Sequence, residues 1–180
     1  TGLDVVSHAL ESTWNKNASN ITLSFGEKSL KIALSTLGKL ILDPQDIVLR
    51  EKMMEASLLS GLAISQTRTS LAHSISYPLT THFGLPHGFA CSFSLPEILK
   101  FNAEEDDGKL NGLSTALDYD SIDSFYHGLK IFLEKIQLRN YLIKYIEKAD
   151  EIQNLVDFMI TPDRSNNNIR QVVNSDIHYI

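Results

Sequence analysis

The feature that most constrains this chain is a helical spacing of apolar residues that recurs along most of its length. Within residues 24–42 the apolar side chains include Leu30, Leu34, Leu37 and Ile41. Steps of three and four residues place such side chains on one face of an α-helix. No stretch shows the strict alternation of apolar and polar residues that a half-buried strand requires. The sequence therefore predicts an all-α fold.

Breaks in this spacing divide the chain into predicted helices. Their ranges are 4–14, 24–42, 48–64, 66–79, 87–99, 110–117, 121–136 and 141–158. Asp43 and Pro44 end the second helix, because proline lacks an N–H donor and the residue before it avoids helical geometry. Asp46 is suited to cap the third helix. Residues 161–171 are predicted to form a loop.

Composition limits the class of protein. A chain of 180 residues is long enough to bury a core and predicts one domain, or at most two small ones. The net charge of −6, without a basic patch, argues against nucleic acid as a partner. The single cysteine, Cys91, indicates a reducing compartment. With no signal peptide and no apolar run that could span a membrane, a cytoplasmic protein is expected.

The two ends of the chain are abrupt. It starts without methionine, and a helical pattern begins almost at once. It stops inside another apolar pattern. We therefore expect residues 1–180 to form one helical domain of a longer protein.

Histidines are concentrated in residues 71–90, which contain His73 and His87 on either side of a turn rich in Gly and Pro. A second group, Asp4 and His8, has the four-residue spacing that places two side chains on one helix face. Aspartate and histidine together are typical ligands of Fe²⁺, Zn²⁺, Mn²⁺ or Co²⁺. Four such donors would leave a coordination position open, as catalytic sites do.

An alternative interpretation of the same residues is structural. Aspartate and histidine four residues apart occur often on exposed helices as solvated pairs, and a histidine in a helix is an ordinary residue. Spacing within one sequence also does not establish that distant segments meet. The metal site is therefore a hypothesis at this level.

Three segments carry a resemblance to a known family. They are DVVSHALES, REKMMEASLLSGLAIS and AHSISYPLTTHFGLPHGFACSFSLPEILKFN. Together they resemble the C-terminal domain of the iron-containing (group III) alcohol dehydrogenases. That family has the pattern D-x3-H-A-[IL]-E, followed by a histidine fourteen residues before the histidine of P-H-G. Here His73 precedes His87 by fourteen residues, and the likeness covers most of residues 1–102.

The resemblance implies a fold, an activity and a set of ligands. The fold would be a multi-helix bundle like the C-terminal domain of dehydroquinate synthase. The activity would be hydride transfer between NAD or NADP and a small alcohol or aldehyde, with Fe²⁺ or Zn²⁺ held as a Lewis acid. The ligands would be Asp4, His8, His73 and His87. Family members often associate, so a homo-oligomer is also expected.

The family's nucleotide-binding α/β domain precedes the helical one. The glycines of this chain form no G-x-G-x-x-G after a strand. We therefore expect NAD(P) to bind through an N-terminal domain that this chain lacks, and the chain alone to be inactive. The alternative function is a stand-alone helical binding or structural module that retains a relic metal site without enzyme activity.

A narrower likeness suggests a substrate. The run T-R-T-x3-H-S-I-S-Y-P-L-T is similar to family members that act on phosphonoacetaldehyde and 2-hydroxyethylphosphonate. It implies that Arg68 holds the anionic group, although a surface ion pair would explain Arg68 equally. Tyr77 stands where the family often has another histidine. It is the candidate catalytic residue, with simple packing of its ring as the alternative.

Two other residues of the 71–91 segment receive only structural roles. His82 is expected to line or cap the loop before Pro86. Cys91 is interpreted as a small core residue rather than as a nucleophile.

Overall fold

A computed structural model describes residues 1–146 and 148–180. Over these residues the regular elements are helices, and the isolated β-bridge that occurs joins Asn15 to Asn168. The all-α prediction is confirmed. The helices are α1 (Gly2–Thr13), α2 (Asn20–Leu42), α3 (Ile47–Thr67), α4 (Leu71–Phe83), α5 (His87–Ala90), α6 (Leu95–Ala103), α7 (Lys109–Ala116), α8 (Ile122–Lys135), α9 (Leu138–Leu142), α10 (Ala149–Gln153), α11 (Pro162–Ser165) and α12 (Asn174–Ile177), with a 3₁₀ turn at Val156–Phe158.

The long helices α1, α2 and α3 pack against one another and form the main body of the core. Small residues permit their close approach. A Cβ added to Gly26 of α2 would lie only 2.9 Å from Ser12 Oγ and 3.1 Å from the Ala9 carbonyl oxygen of α1. In α3 the Ala56 carbonyl accepts a hydrogen bond of 2.8 Å from Ser29 Oγ of α2. The three long helices are thereby packed closely against one another.

The helix starts follow local capping chemistry. Asp46 accepts the N–H of Leu49 at 3.0 Å, as predicted for the cap of α3. α2 begins at Asn20, earlier than predicted, because Ser19 and Thr22 form a reciprocal capping box. A second capping box, between Ser121 and Ser124, starts α8.

Two predicted helices are each divided into two in the structure, and a tertiary contact explains one of the breaks. The helix predicted over 66–79 is divided, because α3 runs to Thr67 and α4 starts at Leu71. Arg68 between them has φ 66°, and its carbonyl accepts the Asn15 side-chain N–H at 3.2 Å. The helix predicted over 87–99 is also divided into α5 and α6. Pro96, in the first turn of α6, lacks the N–H that a continuous helix would need.

The helix predicted over 141–158 is wrong as well. It crosses residue 147, which lies outside the described residues, and on either side the chain forms the short elements α9, α10 and the 3₁₀ turn. The following segment returns to the end of α1. The N–H of Ile169 donates to the Trp14 carbonyl at 2.9 Å, and Asn168 pairs with buried Asn102 through two amide hydrogen bonds.

Within the described residues, the helices are too short or too polar to cross a membrane.

Candidate metal centre

One face of α1 carries three ionisable residues, Asp4, His8 and Glu11. Spacings of four and three residues align them along the helix. Asp4 and His8 are each about one quarter exposed, whereas Glu11 has no exposed surface. The face therefore runs from an accessible end at Asp4 to a fully buried end at Glu11.

His73 of α4 is fixed against this face by Glu11. The Glu11 carboxylate accepts the backbone N–H of His73 at 3.1 Å and lies 2.6 Å from its Nδ1. A carboxylate on one ring nitrogen sets the tautomer and orientation of a histidine, and it leaves the other nitrogen free to bind a metal. His73 is only 4% exposed, so its Nε2 is directed inward at a defined position.

His87 reaches the same point from the loop between α4 and α5. Gly84 ends α4 in the left-handed conformation, with φ 65°, where glycine carries no Cβ penalty. Pro86 then precedes His87, the first residue of α5. The side chain of His87 is 46% exposed. It therefore forms the open side of the cluster.

The three histidines converge on a single oxygen. Their Nε2 atoms lie 3.5 Å (His8), 3.5 Å (His73) and 3.6 Å (His87) from Asp4 Oδ1. An ion with bonds of roughly 2.0–2.2 Å would hold neighbouring ligand atoms about 3.0–3.4 Å apart, the shorter value applying to six-coordinate geometry with open positions. The structure thus brings the three predicted histidines within 3.6 Å of the same Asp4 oxygen. Among the described residues, however, the donor atoms that all lie within 4.8 Å of one another come from Asp4, His73, His87 and Cys91, and His8 is not in this group.

Two atoms of the cluster are left without partners. Asp4 Oδ1 and His73 Nε2 are buried, and neither has a hydrogen-bond partner among the described residues. An unsatisfied buried polar atom is costly and calls for an explanation, of which a bound ion is one. Two observations therefore support a divalent metal here: the short distances to Asp4 Oδ1 and the two buried atoms without hydrogen-bond partners.

The charges of the cluster are strongly coupled. Burial alone would raise the pKa of Asp4 and of Glu11. The net pKa of Asp4 is lowered by His73 together with His8 and His87, and that of Glu11 is lowered by His73 together with backbone hydrogen bonds. Burial would lower the pKa of His73, but its contacts with Asp4, Cys91 and Glu11 raise it to about 12. Burial lowers the pKa of His8, which favours the neutral ring that a metal ligand requires.

Sequence reasoning missed two residues at this centre. Glu11 was visible as the last letter of the D-x3-H-A-[IL]-E pattern, and its spacing of seven from Asp4 places it on the same face. Cys91 was interpreted as a core residue, and it is fully buried. Its Sγ nevertheless lies 3.5 Å from Nε2 of His87. Its spacing of four from His87 was the available signal.

The remaining predicted site residues lie apart from this cluster or at its margin. Tyr77 follows His73 by one turn of α4 and is 45% exposed. Its hydroxyl accepts a hydrogen bond of 2.9 Å from Arg164, whose guanidinium carbon lies 4.2 Å from the ring centroid. His82 is exposed and contacts the ring of Phe83.

The backbone of Arg68 lies away from the candidate metal centre. It is beside the C-terminal end of α1, where the Arg68 carbonyl accepts a hydrogen bond from the Asn15 side chain. That position is roughly 16 Å along the helix from Asp4, at the rise of an α-helix. The predicted anion contact of Arg68 stays a prediction.

Comparisons with known proteins bear on the sequence and the fold of this chain. The sequence profile described as "Fe-containing alcohol dehydrogenase family, C-terminal" matches residues 1–180. The 1-propanol dehydrogenase PduQ of Salmonella typhimurium is 38% identical over 103 residues, which are 57% of this chain and 28% of that protein. The phosphonoacetaldehyde reductase of Streptomyces viridochromogenes is 33% identical over 100 residues, covering 56% of this chain and 25% of that protein.

Solved structures match over almost the whole chain. The sulfoacetaldehyde reductase of Bifidobacterium kashiwanohense, in complex with NAD⁺, superposes with a TM-score of 0.89 at 28% identity, covering 99% of this chain and 48% of that one. An iron-containing alcohol dehydrogenase of Thermotoga maritima gives a TM-score of 0.79 at 28% identity, covering 98% and 46%. The chain thus spans about half the length of these solved proteins, and the curated matches cover about a quarter of theirs.

Proposed function

The chain belongs to the Fe-containing alcohol dehydrogenase family, as its helical C-terminal part, and on that premise we propose that it is the metal-binding domain of an NAD(P)-dependent alcohol dehydrogenase or aldehyde reductase. The resemblance noted in the sequence is confirmed by the family match. The observation that carries the proposal is the convergence of His8, His73 and His87 on Asp4 Oδ1 at 3.5–3.6 Å.

Asp4, His8, His73 and His87 would hold the ion, with Fe²⁺ and Zn²⁺ as the proposed occupants. A bound divalent ion supplies Lewis-acid polarisation of the substrate oxygen, and NAD(P)H supplies the hydride. Glu11 keeps a proton on Nδ1 of His73 and thereby keeps Nε2 available as a ligand. The exposed edge of His87 marks the side from which a substrate approaches.

Tyr77 is the proposed proton donor of this site. In the hydrogen bond with Arg164 its hydroxyl acts as the acceptor, so the hydroxyl proton stays available for a substrate oxygen. Its place one turn after His73 puts it on the same face of α4 as a ligand. Arg164 in turn orients the ring by stacking on it.

For the substrate we propose a short alcohol or aldehyde, and an anionic aldehyde such as phosphonoacetaldehyde is the first to test. The relatives that carry this suggestion reduce phosphonoacetaldehyde and sulfoacetaldehyde. Arg68 was the anion-binding residue expected from the sequence. Arg164, which contacts Tyr77, is the better-placed guanidinium.

The first experiment measures the metal content of the anaerobically purified protein by elemental analysis. We expect one Fe²⁺ or Zn²⁺ per chain in the wild type and none in Asp4→Ala. The matched control is His127→Ala, which removes an exposed histidine four residues after Asp123. A wild-type protein that binds no metal after Fe²⁺ or Zn²⁺ is added would contradict the proposal.

The second experiment measures NAD(P)H oxidation by the natural protein that carries this chain, with propanal and with phosphonoacetaldehyde. If an arginine holds the anionic group, Arg164→Ala raises KM for phosphonoacetaldehyde and leaves KM for propanal unchanged. Arg68→Ala is the parallel variant. An equal effect on both aldehydes would rule out an anion-binding role for the residue tested.

A further inference from the structure

A thiol lies against the proposed centre although the family pattern assigns it no role. Cys91 follows His87 by one turn and has no exposed surface. Its Sγ is 3.5 Å from Nε2 and 3.6 Å from Nδ1 of His87. Its backbone is also tied to α1, because Ser7 Oγ donates to the Cys91 carbonyl at 3.1 Å. The thiol is therefore held beside the face that carries Asp4 and His8.

The spacing of the thiol suits a metal ligand. One donor atom from each of Asp4, His73, His87 and Cys91 can be chosen so that all four lie within 4.8 Å of one another. A tetrahedral ion bound at about 2.3 Å by sulfur and about 2.1 Å by nitrogen would hold these two atoms roughly 3.6 Å apart. The observed distance from Cys91 Sγ to His87 Nε2 is 3.5 Å.

A second observation is independent of the cysteine. His73 is 4% exposed, and its buried Nε2 has no hydrogen-bond partner in the part of the chain that the structure describes. The same holds for Asp4 Oδ1. Both atoms belong to the donor group that includes the thiol, so this group contains unsatisfied donors that an ion would satisfy.

We propose that Cys91 is a further ligand of this centre, so that Asp4, His73 and His87 are shared by two four-donor sets. His8 completes one set and Cys91 completes the other. The proposal rests on the metal-binding function proposed above. On binding, the Cys91 thiol loses its proton to solvent and the sulfur lone pair forms the bond to the ion. No electron transfer is involved.

The two sets differ in the ion that they favour. Thiolate is a soft ligand that selects Zn²⁺, whereas a carboxylate with three imidazoles accepts Fe²⁺, Zn²⁺ or Co²⁺ with less discrimination. The thiolate also adds a second negative charge beside Asp4 and so reduces the positive charge left on the ion. Cys91 would therefore determine metal selectivity.

The test is a Co²⁺ titration of the metal-stripped protein, followed by absorption spectroscopy. Cobalt bound by a thiolate shows an intense charge-transfer band in the near ultraviolet, and its visible bands report coordination geometry. We expect the charge-transfer band in the wild type and in His8→Ala. We expect Cys91→Ser to bind one Co²⁺ per chain without it. Cys91→Ser should also lose roughly tenfold or more of its preference for Zn²⁺ over Fe²⁺, in line with changes to the surroundings of metal ligands.

Each outcome has a defined meaning. A wild type that binds one Co²⁺ per chain without the band would overturn the role of Cys91 and leave the proposed function intact. A wild type that binds no Co²⁺ would overturn both. Cys91→Ala serves as a second variant if the serine is poorly tolerated in this buried position, and the wild-type spectrum alone decides the matter if neither folds.

Discussion

Two helices of this protein carry an aspartate and a histidine four residues apart, in very different surroundings. On α1, His8 Nε2 lies 3.5 Å from Asp4 Oδ1. On α8, His127 Nε2 lies 3.6 Å from Asp123 Oδ2. The two distances are almost the same. Their burial differs, because the α8 side chains are 64% and 76% exposed, against 25% and 24% on α1.

The difference arises from residues that lie far away in the sequence. His73 and His87 approach Asp4 from α4 and α5, whereas the α8 pair faces solvent. Within the described residues, the donor group that could hold an ion contains Asp4, together with His73, His87 and Cys91. It includes neither residue of the α8 pair, and it does not include His8. An Asp-x3-His pair on one helix therefore does not make a metal site by itself. Donors from other helices must pack against it.

The largest expected effect comes from removing the exposed donor of the α1 centre. His87→Ala should abolish stoichiometric metal binding, because His87 belongs to both proposed donor sets. The fold should be unaffected, since the side chain is 46% exposed. Elemental analysis and thermal unfolding in EDTA measure the two effects. His127→Ala should change neither, and full metal retention in His87→Ala would remove His87 from the ligand set.

The next largest effect is expected from removing Glu11, the buried carboxylate that contacts His73. Glu11→Ala leaves the His73 backbone N–H and Nδ1 without their acceptor, so we expect a loss of about 1–3 kcal/mol in unfolding free energy. Metal affinity should fall roughly 10-fold to 100-fold, because the orientation of His73 is lost.

Urea unfolding in EDTA and competition with a metal-binding dye measure the consequences of Glu11→Ala. Exposed Glu105 provides the control, because Glu105→Ala should stay within about 0.5 kcal/mol of the wild type. Unchanged metal affinity in Glu11→Ala would show that His73 is oriented without the carboxylate.

The pH dependence should distinguish metal-free from metal-bound protein. In the metal-free form the pKa of His73 is raised from 6.5 to about 12. Its contribution to stability is therefore complete below pH 6.5 and declines as the pH rises towards 12. The lowered pKa of Glu11 gives a contribution that is present above 4.5 and lost as the pH falls below that value.

Metal binding should have the opposite slope, because the ion replaces a proton on His73. The rise in Tm on adding Zn²⁺ should therefore grow as the pH increases above 6.5. Thermal unfolding across this range, with Zn²⁺ and with EDTA, measures the difference. A constant difference would mean that no proton is displaced when the metal binds.

The smallest effect on the centre itself is expected from Tyr77→Phe. This change removes the hydroxyl but keeps the ring that Arg164 covers. Metal content should be unchanged, and turnover of the natural protein should fall roughly 10²-fold to 10⁴-fold if the hydroxyl donates a proton. Steady-state kinetics measures the turnover, and elemental analysis measures the metal content. Unchanged turnover would support a packing role for Tyr77.

The sequence predicted four candidate ligands for this centre but not the residue that supports them. Asp4, His8, His73 and His87 were identified by residue type, by spacing and by resemblance to the family, and the structure brings them together. Glu11 was overlooked because a glutamate on a helix is usually exposed, and nothing local indicates that it is fully buried. The sequence predicts Cys91 as a core residue, and it is fully buried, but its distance to His87 is set by the packing of α5, which the sequence alone does not show.

The sequence by itself determined the all-α class, the approximate positions of the long helices and the cap at Asp46. These follow from apolar periodicity and hydrogen bonds between near neighbours, which a single sequence contains. The tertiary structure decided where the helices break and which donors meet. The break at Arg68 depends on a contact with Asn15, and the centre depends on packing α4 and α5 against α1. Such contacts join residues far apart in the chain, and their geometry is fixed only when the separate helices pack together.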